Sequence, residues 1–213
     1  MTLIKKYFPQ ISDSQIMKLS KFEKLIKEWN KKINLVSRKD VENFQINHII
    51  HSLSISKLIF FKPKTKILDI GTGGGLPGIP LAIIFPEAEF HLVDRKKKKM
   101  DVLVDIIRKL ELNNVKIEAC DAKDILDKYD FILNRAVSST ENILSICNNK
   151  LSFKNFNKIE NGIICLKGGD LKRELINIKD FDIIKLNEFF SEPFFETKKI
   201  LYIPSPYIHM DNV

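Results

Sequence analysis

The segment Lys66-Ile67-Leu68-Asp69-Ile70-Gly71-Thr72-Gly73-Gly74-Gly75-Leu76-Pro77-Gly78 constrains the fold more than any other part of the chain. Ile67, Leu68 and Ile70 form a short apolar run of the kind that fills a parallel strand covered on both faces. The glycines after it let the backbone take positive φ and come close to a ligand. Residues 78–85 then read as a short buried helix. Pro80 is tolerated in its first turn, where an amide has no intrahelical partner, and Pro86 ends it. A buried strand, a glycine turn and a helix in that order predict a nucleotide-cofactor site at the edge of a parallel sheet.

Two cofactor classes use such a turn. Gly73, Gly75 and Gly78 fit the dinucleotide pattern G-x-G-x-x-G, in which a helix N-terminus faces a pyrophosphate, but a lone match of that kind is weak. Asp69, two residues before Gly71, would repel a pyrophosphate and suits a cationic ligand with an amino-acid end, as S-adenosylmethionine has. Residues 89–94 read as the second strand. Asp94 at its end lies about 20 residues after the glycines, the separation at which an acid binds ribose hydroxyls. Together Asp69 and Asp94 favour the sulfonium cofactor. The bland readings are a structural turn for the glycines and, for Asp94 followed by Arg95 and four lysines, a helix cap beside a solvated basic face.

The first sixty residues contain no strand signal. Ile16, Leu19, Phe22, Leu25, Ile26, Trp29 and Ile33 recur at helical spacing, with Ser12, Asp13 or Ser14 as the cap, and a second helical region covers 41–61. The stripe reads first as core packing; Trp29 as a base-stacking platform is the sharper idea. From Lys66 onward strands and helices alternate, which predicts a parallel sheet wrapped on both faces. A helix is expected over 96–112, strands over 115–119 and 129–134, a turn over 121–124 and a helix over 139–150. A strand over 163–166, a helix reaching about Ile178 and closing strands over 181–190 and 197–203 complete the pattern. The expected fold is α/β and Rossmann-like, a seven-stranded sheet over 63–213 with a helical extension over 1–62 packed on it. Ligands sit beyond the carboxyl ends of such strands, here Gly71, Asp94, Asp121 to Lys123, and Asn134 with Arg135. Asp121 or the Ala122-Lys123 backbone is placed to meet an adenine, although an ordinary turn explains that segment equally well.

With 213 residues the chain can bury a proper core, and its net charge of +8 fits an anionic partner such as nucleic acid. That charge is weak support, because lysine supplies nearly all of it, arginine stands only at Arg38, Arg95, Arg108, Arg135 and Arg173, and an AT-rich genome produces the same bias. Cys120, Cys147 and Cys165 are scattered without a C-x-x-C pair, so neither a disulfide framework nor a zinc site is suggested, in keeping with a reducing cytosol. No stretch has the length of a signal peptide or a membrane span, and a soluble cytoplasmic protein is expected.

The chain resembles the RsmG (GidB) methyltransferases, which methylate ring nitrogen 7 of a guanine in bacterial small-subunit ribosomal RNA. The resemblance covers nearly the whole chain. It rests on Trp29-Asn30-Lys31-Lys32-Ile33-Asn34-Leu35-Val36-Ser37, on His48-Ile49-Ile50 followed by Ser52, and on Asp69 through Pro80, and further on Pro86-Glu87-Ala88, Arg135-Ala136 and Leu166-Lys167-Gly168. It implies the class I S-adenosylmethionine-dependent methyltransferase sheet. It also implies cofactor contacts at Gly71, Leu76, Ala122, Lys123 and Arg135, with Asp94 in the ribose-binding position; the reading of the residues themselves adds Asp69, Gly73, Gly75 and Asp121 as cofactor-binding candidates. The implied partner is 16S ribosomal RNA or the small subunit, met by a monomer away from any membrane. Two positions depart from the family: His51 stands where an acid is usual, and Gly74 where proline or alanine is common.

The missing groups narrow the chemistry. Methylation at a pyrimidine carbon needs a cysteine nucleophile, and methylation of an adenine amine typically uses an Asn/Asp-Pro-Pro-aromatic segment after the fourth strand; Asn134-Arg135-Ala136 offers neither. Nitrogen 7 of guanine has an in-plane lone pair and no proton to lose, so catalysis there is positioning and electrostatics. Arg135 is the candidate for orienting cofactor or guanine through its planar fork, against a structural salt bridge to Asp94 or Asp121. Lys167, the Lys31-Lys32 pair and the lysines at 96–99 are candidate phosphate contacts. Competing functions are a nicotinamide-dependent, NAD(P)-using oxidoreductase and a non-catalytic RNA-binding protein with a vestigial pocket.

Overall fold

The computed structural model describes residues 3–37, 41–135, 140–147 and 149–205. Arg38, Ala136 and the first position of the helix expected over 139–150 lie outside them. The apolar runs pair into one sheet: β1 (Lys66–Ile70), β2 (Glu89–Val93), β3 (Val115–Glu118), β4 (Phe131–Arg135), β5 (Gly162–Gly168), β6 (Asp182–Lys185) and β7 (Lys198–Pro204). The strand order is β3-β2-β1-β4-β5-β7-β6. β1 to β5 run parallel, and β7 enters antiparallel between β5 and β6. The order reverses between β1 and β4, and a crevice opens beyond the carboxyl ends at such a point. Register levels those ends, because Ile70 lies beside both Val93 and Asn134.

Successive residues of a strand face opposite sides. Ile67, Phe131 and Leu133 join a core with the helices Gly78–Ile84 and Lys97–Leu110 and the N-terminal helices. Leu68, Ile132, Ile163 and Cys165 join a second core with the helix Thr140–Cys147. Among the described residues no helix is long and apolar enough to cross a membrane.

Of the three candidate caps, Ser12 starts the helix Asp13–Asn30, in a reciprocal box with Gln15. The Gln15 amide also donates to the carbonyls of Ile83 (3.2 Å) and Ile84 (3.1 Å), satisfying the end of the helix after the glycine turn. Trp29 Nε1 donates to Asp105 Oδ2 at 3.1 Å and Lys21 Nζ to the Lys109 carbonyl at 2.5 Å, so this helix lies antiparallel to Lys97–Leu110. Trp29 is a packing residue, not an open platform for a base.

Three expected elements come out shorter. The second helical region changes pitch, from π-helix at Gln45–Ile50 through a turn at His51–Leu53 to a 3₁₀ turn at Ser54–Lys57. It stops before 61 because Pro63 disfavours helical backbone ahead of it while Ile59 and Phe61 turn into the core. The helix after β5 is a single 3₁₀ turn, Arg173–Leu175, pinned where Glu174 accepts from Thr140 and Lys167, both at 2.8 Å. β6 ends at Lys185, and the 3₁₀ turn Leu186–Glu188 brings Leu186 and Phe190, four apart, into the core.

Candidate functional site

A cavity of about 480 Å³ opens beyond the ends of β1, β2 and β4, closed on one side by the helix Thr140–Cys147. It falls within the size range of small-molecule sites. Gly71, Gly73, Asp94, Asp121 and Ala122 line it, all expected from the sequence, together with Asn134; Val93, Ile143 and Ile146 supply apolar wall.

The glycine turn is shaped from beneath. Gly71, Gly73 and Gly75 have φ of 67°, 57° and 80°, a region other residues rarely enter. Asp69 is fully buried under the turn, where its Oδ2 accepts from Thr72 Oγ1 (2.6 Å) and from the first helical amide, Gly78 N (2.9 Å). This corrects the expected role: the carboxylate ties strand, turn and helix together and is not part of the cavity wall. Burial pushes its pKa up to about 6, against the opposing hydrogen bonds from Thr72 and Gly78 and the charge of Arg135. Its Oδ1 is buried without a hydrogen-bond partner. Gly75 and Leu76 also stand behind the wall. A side chain at Gly75 would collide with Ile79, and Leu76 packs into the core.

Asp94 directly follows β2 and faces the cavity. Its Oδ2 accepts from Gly73 N at 3.0 Å and its Oδ1 from Lys96 N at 2.9 Å, so one carboxylate fixes the distance between the glycine turn and the next helix. Asp121 Oδ1 caps the turn Ala122–Asp124 by accepting from Lys123 N at 3.0 Å, and its Oδ2 pairs with Arg95 at 2.7 Å. Ala122 is buried at the wall, whereas the Lys123 side chain points to solvent and is not part of the lining. Lys99 reaches the cavity rim, donating to the Leu35 carbonyl at 3.4 Å. Burial lowers its pKa, opposed by Asp94.

At the end of β4, Asn134 Nδ2 donates to the Ile70 carbonyl at 3.1 Å, bridging the crevice. Its buried Oδ1 has no hydrogen-bond partner, an acceptor held ready at the cavity wall. The sequence places Asn134 at a ligand-facing strand end but assigns it no contact of its own; an amide at the last inward position of the switch-point strand was the available signal. Arg135 is outside the lining and pairs with neither Asp94 nor Asp121. Its Nη2 donates to the Asn47 carbonyl at 3.0 Å and to His48 Nδ1 at 2.5 Å. His51 is buried edge-on to Phe194, ring centroids 5.3 Å apart. Burial drives its pKa well down, helped by the charges of Arg135 and Lys198, so the ring is neutral. A neutral histidine so placed supplies no carboxylate. Lys167 is buried and paired with Glu174, which removes it from the candidate phosphate contacts.

A model of the family described as rRNA small subunit methyltransferase G matches residues 15–193. A ribosomal RNA small subunit methyltransferase G from Christiangramia forsetii is 46% identical, over 96% of this chain and 97% of its own. A protein of the same name from Flavobacterium johnsoniae is 45% identical, over 94% and 96%. Among solved structures, precorrin-6y C5,15-methyltransferase from Geobacter metallireducens is 16% identical and covers 81% of this chain and 92% of its own, with a TM-score of 0.55, a likeness of fold.

Proposed function

The chain belongs to the rRNA small subunit methyltransferase G family, and from that premise we propose that it transfers the methyl group of S-adenosylmethionine to ring nitrogen 7 of a guanine in 16S ribosomal RNA, in the cytoplasm. The observation that carries this reading is the acceptor set on the wall: Asp94, Asp121 and the unpartnered Asn134 Oδ1 around an apolar floor. That set fits a ligand rich in donors, with a ribose diol, an amino group and a positive charge. It fits a dinucleotide pyrophosphate poorly, and the oxidoreductase alternative loses its support with it.

In this reading Asp94 holds the ribose hydroxyls with the lone pairs left by Gly73 and Lys96. Gly71 and Gly73 let the chain approach the amino-acid end, Asn134 Oδ1 accepts from its ammonium, and Ala122 with Ile143 and Ile146 borders the adenine. The bound cofactor supplies an electrophilic methyl group. Arg135, next to Asn134 in the chain, is the residue assigned to orienting the guanine, and no side chain has to remove a proton. The rim supports an RNA partner. Lys31 and Lys32 follow the helix Asp13–Asn30, the lysines at 96–98 stand at the start of Lys97–Leu110, and residues 35–36 pack against Gly74 of the glycine turn. Four lysines at the positive end of a helix dipole, with no acid in the first turn, work against local stability, and a phosphate backbone relieves that conflict.

Incubating the protein with methyl-labelled S-adenosylmethionine and small ribosomal subunits from a strain lacking the enzyme tests the reading. Nucleoside mass spectrometry is expected to show 7-methylguanosine. Label in another nucleoside, or cofactor binding without transfer, rejects it.

A further inference from the structure

The side chain that meets Arg135 comes from the N-terminal helical segment, 87 residues away, and the helix there is irregular. In an α-helix the Asn47 carbonyl would accept from the amide of His51, four residues on. Here His51 N bonds instead to the carbonyls of His48 and Ile46, as the π-helical pitch of Gln45–Ile50 requires. The Asn47 carbonyl, which the His51 amide does not take, accepts from Arg135 Nη2. The same Nη2 donates to His48 Nδ1. Arginine is always protonated and always the donor, so His48 accepts at Nδ1 and is neutral. His48 is itself fixed: it is 5% exposed, its ring lies 4.8 Å from that of Phe44, and its carbonyl accepts from Ser52 Oγ at 2.6 Å. π-Helical turns cost regular hydrogen bonding and concentrate at functional sites; this one spends its irregularity on a single guanidinium.

The geometry points to His48 as a positioning residue for methyl transfer: with the Asn47 carbonyl, it fixes the guanidinium of Arg135, the residue that follows the cavity-lining Asn134. The inference rests on the role given to Arg135 above. Asn47 acts through its backbone, so no substitution of its side chain reproduces the loss, and His48 is the handle.

Single-turnover methyl transfer to small subunits at saturating S-adenosylmethionine, with thermal unfolding recorded alongside, tests it in His48→Leu, His48→Asn, Arg135→Ala and the double variant. His48→Leu removes the acceptor and is expected to slow transfer about tenfold to a hundredfold, the range for a displaced orienting group. His48→Asn keeps an acceptor near the Nδ1 position and is expected to stay within about threefold of wild type, and the double variant no slower than Arg135→Ala alone. A purely structural histidine would give variants ranked by melting temperature, with Asn no better than Leu. If His48→Leu does not fold, His48→Gln, whose acceptor sits near the Nε2 position, takes its place with the same expected loss. His48→Leu or His48→Gln at the wild-type rate, or His48→Asn as slow as either, overturns the inference while a slow Arg135→Ala leaves the role of Arg135 standing. Arg135→Ala at the wild-type rate overturns both.

Discussion

Replacing Asp69 by asparagine is expected to raise stability relative to wild type as pH goes from acid to neutral. The carboxylate is fully buried with only Oδ2 hydrogen-bonded, and burial lifts its pKa from 3.8 to about 6. Between those values the folded protein holds a proton that the unfolded chain has released, so stability falls as pH rises through the window and stays lower above it. A shift of roughly two units corresponds to about 3 kcal/mol, of which about 2 kcal/mol develops between about pH 4.5 and about pH 8. Asparagine keeps an oxygen for Thr72 and Gly78 and carries no charge. Its stability relative to wild type should therefore rise by about 2 kcal/mol over that interval, whatever the constant offset from the exchanged amide. Urea unfolding of both cofactor-free proteins at the two pH values, with m compared to confirm the same transition, measures it. A difference that does not change with pH, or that moves against asparagine as pH rises, refutes the burial account of Asp69.

Gly78→Ala places a methyl carbon 2.7 Å from Asp69 Oδ2 and 2.8 Å from Leu92 Cδ1; overpacking there should cost about 1–3 kcal/mol by urea unfolding, and an unchanged midpoint would refute the tight fit. Asp94→Ala removes the acceptor shared by Gly73 and Lys96 along with the proposed ribose contact, and calorimetry should show S-adenosylmethionine binding weakened about tenfold to a hundredfold. Lys97→Glu with Lys98→Glu should weaken binding to ribosomal RNA and flatten its salt dependence by about one unit of slope per lost phosphate contact, while cofactor affinity holds. An unchanged slope would move the RNA to another face.

What could be read from the chain was what local pattern encodes. The run of Ile67, Leu68 and Ile70 into glycines announced β1 and its turn, and the acid closing the next apolar run marked Asp94 at the cavity. Alternating strands and helices foretold seven strands. Pairings made across the fold were not legible. Nothing near Asp69 indicates that its carboxylate turns inward to Gly78, and nothing near Arg135 reveals a partner 87 residues earlier. Leu171, Leu175 and Ile178 have helical spacing, yet Glu174 is held by Thr140 and Lys167, and one turn suffices to bury the two leucines. Lys167 read as a phosphate contact only because its partner lies on the following turn. The change of pitch at 45–50 has no residue signature of its own; its reason lies with the guanidinium it meets.

The antiparallel pairing of Asp13–Asn30 with Lys97–Leu110 bears on how the chain leaves the ribosome. Gln15, Trp29 and Lys18 find their partners 68, 76 and 93 residues downstream. At about 5–20 residues per second, the first amphipathic helix waits roughly 3 to 20 s with its greasy side uncovered. During that interval a nascent-chain chaperone has a ready target, and slow codons placed before the second helix would lengthen the exposure.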